Sequence, residues 1–294
     1  MDDQQWLAER FEEHRAHLRA VAYRMLGSLA EADDAVQDSW LRCSRAGAGE
    51  VENLGGWLTT IVARVCLNTL RSRNGRREDL FGARLPDPVI SRDGELQPED
   101  QVLLADSVGL ALLIVLDTLP PAERLAFVLH DVFGLPFDEI APMVDRTPVA
   151  ARQLASRGRR RVKGAEIPTP DRDVTRQREV VNAFFAAARA GDFEGLVAVL
   201  DPDVVLRADF GPKHPQASRV IRGLAAVAQH ARPLPGSELH PVMVNGAPGV
   251  VVTVRGRPVT ILGFTVTRGR IVEIDALGDP ERVARVAAGV LTDQ

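Results

Sequence analysis

Cysteine and lysine are nearly missing from this chain. Cys43 and Cys66 are the only thiols among 294 residues. They form no CxxC pair and have no partners at metal-ligand spacing, which excludes a redox motif and a zinc site and leaves buried free thiols as the expectation. No metal or cofactor is expected. Lys163 and Lys213 are the only lysines, so arginine carries nearly all the positive charge, a bias that a GC-rich genome produces before any function. No apolar run approaches the roughly 20 residues of a membrane span. The opening MDDQQWLAER is too acidic and polar for a signal peptide. A cytoplasmic protein with no membrane partner is therefore expected.

What is present is a globular composition, 45% hydrophobic and 26% charged with a net charge of -4, long enough to bury more than one core. Helical spacing of Leu18, Val21, Ala22 and Met25, and later of Trp57, Ile61, Val65, Leu67 and Leu70, predicts an all-α block over 1–78. Trp57 stands in phase with Ile61 and Val65 and reads as core. Residues 79–104 mix glycine, proline and charge without a period and read as a linker. Helices resume over 105–165, and EIPTPDRD lies in a second linker, 166–174. Residues 175–294 open with a helical pair and continue with the Val- and Ile-rich runs GVVVTVRG, PVTILGFTVT and RIVEIDAL, which predict strands and an α+β fold.

The mildly acidic chain concentrates Arg152, Arg157, Arg159, Arg160, Arg161 and Lys163 in one short element. PFDEIAPMV predicts a short helix and DRT a turn. Thr147 followed by Pro148 is an N-cap with proline at the first helical position. This is helix, turn, helix. At 100° per residue Ala150, Leu154 and Arg161 fall near one line, expected to pack, with Val149, Arg152, Ser156, Arg159 and Lys163 opposite and exposed. A second helix of this kind fits the major groove, where arginine can read guanine and basic side chains can neutralise phosphates. A solvated surface helix is the plainer alternative. Local charge asymmetry, rather than overall charge, drives nucleic-acid binding.

Upstream, LAEADDAVQDSWLR starts a helix with Glu31, Asp33, Asp34 and Asp38. The helix dipole alone favours such acids. Together with Gln37 and Trp40, however, the segment resembles the one by which sigma-70-family factors grip RNA polymerase, and NLGGWLTTIVARVCLNTLRSRNGRR resembles their minus-ten helix. The order of region 2, linker and region 4 ending in a helix-turn-helix covers residues 6–163 and is similar to an extracytoplasmic-function sigma factor. The resemblance implies that Asp33, Asp34, Gln37, Asp38 and Trp40 contact the clamp of the beta-prime subunit. It implies that Arg64 and Asn68 read the minus-ten strand, with Arg71, Arg73, Arg76 and Arg77 on phosphates. Thr147, Val149, Arg152, Gln153, Ser156, Arg159, Arg160 and Lys163 would face the minus-thirty-five element of promoter DNA. A stand-alone helix-turn-helix repressor is the competing reading, but it would have no use for the acidic helix.

AFFAAARAGDFEGLVAVLDPDVVLRAD resembles the opening of SnoaL-like domains of the NTF2-like superfamily, cone-shaped folds that enclose a pocket. Sigma factors carrying this domain form a subgroup whose three motifs have imperfect counterparts here. Trp-Leu-Pro-Glu-Pro is matched by Arg84, Leu85, Pro86, Asp87 and Pro88, without the aromatic. Asp-Gly-Gly-Gly-Lys is matched by Asp209, Phe210, Gly211, Pro212 and Lys213. Asn-Pro-Asp-Lys-Leu is matched loosely by Asp279, Pro280, Glu281, Arg282 and Val283. The expected regulatory contact joins 84–88 to 209–213, with Lys213 on Asp87 and apolar contact from Leu85 and Phe210. Asp203, Asp209, His214, His230 and His240 could in principle serve a catalytic pocket, but Asp203 reads as a turn cap and His214 and His240 as loop residues. No enzyme is expected. The pocket binds an unknown small molecule or is kept as a scaffold, and a sigma factor whose C-terminal pocket binds or turns over a small-molecule ligand is the alternative reading of the whole chain.

Overall fold

The computed structural model describes residues 3–46, 51, 53–74, 84–92, 110–165 and 167–291. The chain divides into an N-terminal unit, Met1–Asp79 with Pro98–Ile167, and a C-terminal unit, Leu80–Gln97 with Pro168–Gln294.

In the N-terminal unit α1 (Asp3–Leu26), α2 (Leu29–Ala46) and α3 (Leu54–Asn74) pack against one another. Leu7, Phe11, Leu18, Val21 and Met25 supply the buried stripe of α1. Gly27, at φ 70°, lets its N–H reach the Tyr23 carbonyl at 2.7 Å and ends the helix in the left-handed conformation that suits glycine. Cys43 and Cys66 are both buried and free, and burial pushes the Cys66 thiol up to about 12. Trp57 is only half-buried, which corrects the core expectation: it lies two turns before exposed Arg64, on the outer stripe of α3.

Beyond these come α4 (Leu110–Asp117), α5 (Pro121–Phe127) with a π-type continuation over Val128–Val132, α6 (Phe137–Ile140) and α7 (Pro148–Gly164). Thr147 caps α7, accepting from the Ala150 N–H at 3.3 Å, with Pro148 at the first helical position. The packing face of α7 is Ala151, Ala155 and Gly158, not the expected Ala150, Leu154 and Arg161. Ala150 and Leu154 are half-buried and Arg161 is exposed. The smallest residues win because α7 lies close on α5: a Cβ at Gly158 would stand 3.0 Å from Phe127 Cβ and 3.2 Å from the Glu123 carbonyl oxygen.

In the C-terminal unit α8 (Val174–Ala190) and α9 (Phe193–Val199) are capped by Asp173 and Asp192 and separated by Gly191 in the left-handed conformation. They precede β2 (Leu200–Asp209), β3 (Arg219–Arg222), α10 (Leu224–His230), β4 (Ser237–Val244), β5 (Ala247–Val254), β6 (Arg257–Thr267), β7 (Arg270–Leu277) and α11 (Pro280–Leu291). The three runs predicted as strands are β5, β6 and β7. A further strand, β1 (Ile90–Ser91), comes from the segment expected to be linker. It pairs antiparallel with Val244 and Met243 and completes the order β1-β4-β5-β6-β7-β2-β3, in which β2 and β7 run parallel.

Side-chain alternation gives this sheet two lives. Val204, Phe264, Val266 and Ile274 face the core shared with Val181 and Phe184 of α8 and Val227 of α10. Val251, Ile261 and Leu277 face Val283, Ala287 and Val290 of α11, and Ile90 joins that outer core. The second linker is pinned as well. Asp171 accepts from the Arg268 and Gly269 N–H groups, each at 2.8 Å, and those bonds hold its carboxyl below the usual range.

Candidate functional site

The acidic face of α2 is open. Asp33, Asp34, Gln37 and Asp38 are exposed beside Leu41. Arg19 pairs with Asp33 at 2.7 Å. Trp40 is half-buried against Phe11, with ring centroids 5.2 Å apart, so it props the face from behind.

On α3, Arg64, Asn68 and Arg71 are exposed on one stripe with Trp57 at its head, since residues four and seven apart share a helix face. The guanidinium of Arg64 donates to the Pro142 carbonyl at 3.2 Å. Arg73 turns inward, donating to the Leu26 carbonyl at 3.1 Å and pairing with Glu31. Arg76 and Arg77 lie outside the described residues.

The basic helix α7 sorts its charges. Arg159 pairs with Asp131 at 2.6 Å, and Arg157 and Arg161 stand 3.4 and 3.6 Å from Glu123 of α5. Distant acids that the local sequence does not reveal thus neutralise half of the run. Arg152, Arg160 and Lys163 remain exposed, and Val149, Gln153 and Ser156 share their outward side with Thr147 at its start. Arg152 lies over the Phe137 ring, 5.3 Å from its centroid, which restrains the guanidinium at the helix N-terminus where a groove-reading side chain belongs.

In the C-terminal unit a clasp forms around Arg282, on the first turn of α11. Its Nε donates to Asp87 at 2.5 Å, Nη1 to Asp209 at 2.7 Å and Nη2 to the Leu85 carbonyl at 2.6 Å. Asp209 also accepts from the Leu85 N–H at 2.9 Å. Asp87 is 1% exposed and Asp209 4%. Burial alone would drag the Arg282 pKa down, but Asp87 and Asp209 more than offset it and the net shift is upward. Asn245 reinforces the hold, its Oδ1 accepting from Val89 N–H and its own N–H donating to the Val89 carbonyl, both at 2.8 Å. Leu85, Pro86, Asp87 and Pro88 are all buried.

Residues 84–88 and 209 thus meet, but through Arg282. The expected Lys213–Asp87 pair is not made: Lys213 donates to Glu281 at 2.5 Å, because Asp87 is buried whereas Lys213 stays in solvent. Phe210 packs on the backbone of Gly278, where a Cβ would lie 2.5 Å from its ring. Gly211, at φ 76°, leaves room for the Asp279 carboxylate that caps α11. Arg282 was missed as the hub although a signal existed. It is the cation of the loosely matched Asp-Pro-Glu-Arg-Val motif.

The histidines and acids considered for catalysis do not converge. His230 lines a cavity of about 320 Å³ between the sheet and α8 and α10, whereas Asp209 points to the clasp. His240 is a strand residue rather than a loop residue, with Nε2 2.9 Å from the Thr253 hydroxyl. Pro241 is tolerated beside it because β1 pairs only with Val244 and Met243, leaving that stretch of β4 as an edge. Asp201, not Asp203, makes the turn, accepting from the Asp203 N–H at 3.0 Å. His214 is exposed. Among the described residues no acidic, histidine or cysteine cluster could hold a metal, and no helix is long and apolar enough to cross a membrane.

Comparison with known proteins agrees with this division. The Sigma-70 region 2 family matches residues 10–76, the Sigma-70, region 4 family residues 110–162, and the SnoaL-like domain family residues 181–284. The chain is 40% identical to the ECF RNA polymerase sigma factor SigJ of Mycobacterium tuberculosis over 213 residues, 72% of this chain and 68% of that protein. It is 35% identical to the probable ECF RNA polymerase sigma factor SigI of the same species, over 91% of each. The crystal structure of the Mycobacterium tuberculosis factor SigJ superposes with a TM-score of 0.74 at 32% identity, covering 94% of this chain and 97% of that one. With region 2, region 4 and the SnoaL-like domain in that order, the chain belongs to the extracytoplasmic-function RNA polymerase sigma factors of the sigma-70 family.

Proposed function

We propose that this sigma factor is controlled from within its own chain, by the hold of the SnoaL-like domain on residues 84–92. As an alternative sigma factor the protein associates with RNA polymerase core, directs it to promoter DNA and is not an enzyme. The clasp carries the regulatory reading. A segment between region 2 and region 4 in sequence is buried in the C-terminal unit by Arg282, Asp209 and Asn245. A tether this short keeps even weak contacts at roughly millimolar effective concentration, so a modest change in the clasp is enough to switch it.

The same reading assigns exposed Asp33, Asp34, Gln37 and Asp38 to the beta-prime clamp and the Trp57, Arg64, Asn68 and Arg71 stripe to the minus-ten strand, where stacking and cations capture unpaired bases. Arg152 and Ser156 read minus-thirty-five bases, and Arg160 and Lys163 hold phosphates. A small-molecule ligand for the C-terminal cavity is a second reading, favoured by the cavity's volume.

Run-off transcription with purified core polymerase, comparing the full chain with one ending at Lys163, tests the regulatory assignment. A severalfold difference in transcript yield at equal sigma concentration is expected. Identical yields across the concentration range would leave the domain without a regulatory role.

A further inference from the structure

A pocket of about 320 Å³ opens between the sheet and α8 and α10 of the C-terminal unit, at the lower end of the roughly 300–1,000 Å³ typical of ligand sites. The sheet beside it is irregular. Register shifts fall between Val252 and Thr253 of β5 and between Thr265 and Val266 of β6 in their pairing with the next strand, and such irregularities bend and twist a sheet locally.

Its lining is chemically one-sided. The interior is hydrocarbon, with Phe184, Phe185, Leu206, Leu239, Leu262 and Ile274 forming the walls. Three arginines, Arg189, Arg219 and Arg232, also line it, together with His230, and no Asp or Glu does. All three arginines are exposed to solvent, and none takes part in an ion pair among the described residues. Elsewhere in this unit half-buried arginines find carboxylates: Arg207 has Glu273 and Asp275, and Arg282 has Asp87 and Asp209. The cations at the cavity are left for something that the chain does not supply.

We propose that this cavity binds an apolar molecule bearing a single anionic head group, with the hydrocarbon body among Phe184, Phe185 and Leu262 and the head among Arg189, Arg219 and Arg232. An anion is preferred to a neutral polar ligand because charge-assisted hydrogen bonds from guanidinium are the strong ones and no carboxylate lines the cavity. The inference rests on the reading of the C-terminal domain as regulatory only for its consequence. Phe210 and Ala208 line the cavity while Asp209, between them, holds the Leu85 N–H and Arg282. An occupant therefore presses on the same end of β2 that grips the linker.

Calorimetric titration of the full chain with 2-naphthoate and with 2-naphthol, its uncharged counterpart near neutral pH, tests the ligand class. The naphthoate is expected to bind about tenfold more tightly or better, the gain of one charge-assisted hydrogen bond. The Arg219→Gln, Arg232→Gln double substitution on the exposed rim is expected to reduce naphthoate affinity to that of naphthol and leave naphthol unchanged. Leu262→Trp, which fills the void, is expected to abolish both, with naphthoate titrated into wild type as the reference if that variant melts early. Equal affinities for the two compounds, binding of neither, or an unaltered preference in the double variant would overturn the proposal. These readouts involve no transcription, so regulation by the domain can fail while the ligand site stands, and the reverse.

Discussion

Two arginines, Arg124 buried and Arg282 half-buried, tie together segments that are far apart in sequence, and they do so differently. Arg124, in the N-terminal unit, donates to the Arg24 carbonyl at 3.2 and 3.0 Å through Nε and Nη2 and pairs with Asp117 at 3.0 Å. Arg282, in the C-terminal unit, meets a carbonyl and two carboxylates. The partner acids differ too: the Asp117 side chain is 20% exposed, whereas those of Asp87 and Asp209 are 1% and 6% exposed. A joint whose paired acid, Asp117, already touches water tolerates change. One that brings two buried acids onto one guanidinium responds to it, because losing Arg282 removes an ion pair from each. The first reads as a permanent fastening and the second as a point where a small perturbation has a large effect.

The widest expected effect is therefore Arg282→Met in the full chain. Removing one partner of a buried ion pair costs about 3–5 kcal/mol, so the C-terminal unit should melt markedly earlier and residues 84–91 should exchange their amide hydrogens faster. Adding Asp87→Asn and Asp209→Asn should recover most of the loss, since neutral amides replace two buried carboxylates that have lost Arg282. If the triple variant is no better than the single one, packing rather than charge explains the clasp. Arg124→Met should cost less, about 1.5–3 kcal/mol for the lost charge-assisted bonds. A loss equal to that of Arg282→Met, measured by denaturant unfolding, would erase the distinction between the two joints.

Arg207 sharpens the comparison from a third side, since it also faces two carboxylates, at 2.7 Å from Glu273 and 3.3 Å from Asp275. Here a proton relieves the excess. Burial pushes the Asp275 carboxyl up to about 7 from an ordinary 3.8, Arg207 opposing the shift and Glu273 adding to it. The folded state thus holds a proton that the unfolded chain has released. The contribution of Asp275 to stability accordingly falls as pH rises from about 4 to about 7 and then levels off. Asp275→Asn should flatten the melting temperature over that window; an unchanged slope would show that another group sets it. The smallest effect is expected from Lys213→Ala, because the pair with Glu281 is exposed and such pairs contribute little. A melting curve that overlays wild type is the expected result.

Much of the fold was legible because it rests on local signals. The 3.6-residue spacing of α1, the Thr147–Pro148 cap and the β-branched runs of β5 to β7 each determine their own element. The exposed face of α2 followed from acidic side chains placed between Ala32, Ala35 and Val36, which are buried. The misreadings of the charged sites involve distant partners. The packing face of α7 was decided by how closely α5 approaches Gly158, and the neutralisation of Arg157, Arg159 and Arg161 by acids on a preceding helix. Arg282 and Asp87 are 195 residues apart, and nothing local to either reveals the other. The prolines of RLPDP and the DFGPK loop did point to a meeting place, but exposure, which sequence spacing does not report, decided that Lys213 took the neighbouring Glu281 and Arg282 took Asp87.

Control from within the chain requires that the hold on residues 84–92 govern initiation. Run-off transcription with core polymerase, wild type against full-length Arg282→Met, with hydrogen exchange at Leu85 and Val89 followed on the same samples, measures this most directly. Faster exchange at both amides together with a severalfold change in transcript yield is the expected result. Faster exchange with unaltered yield would contradict it.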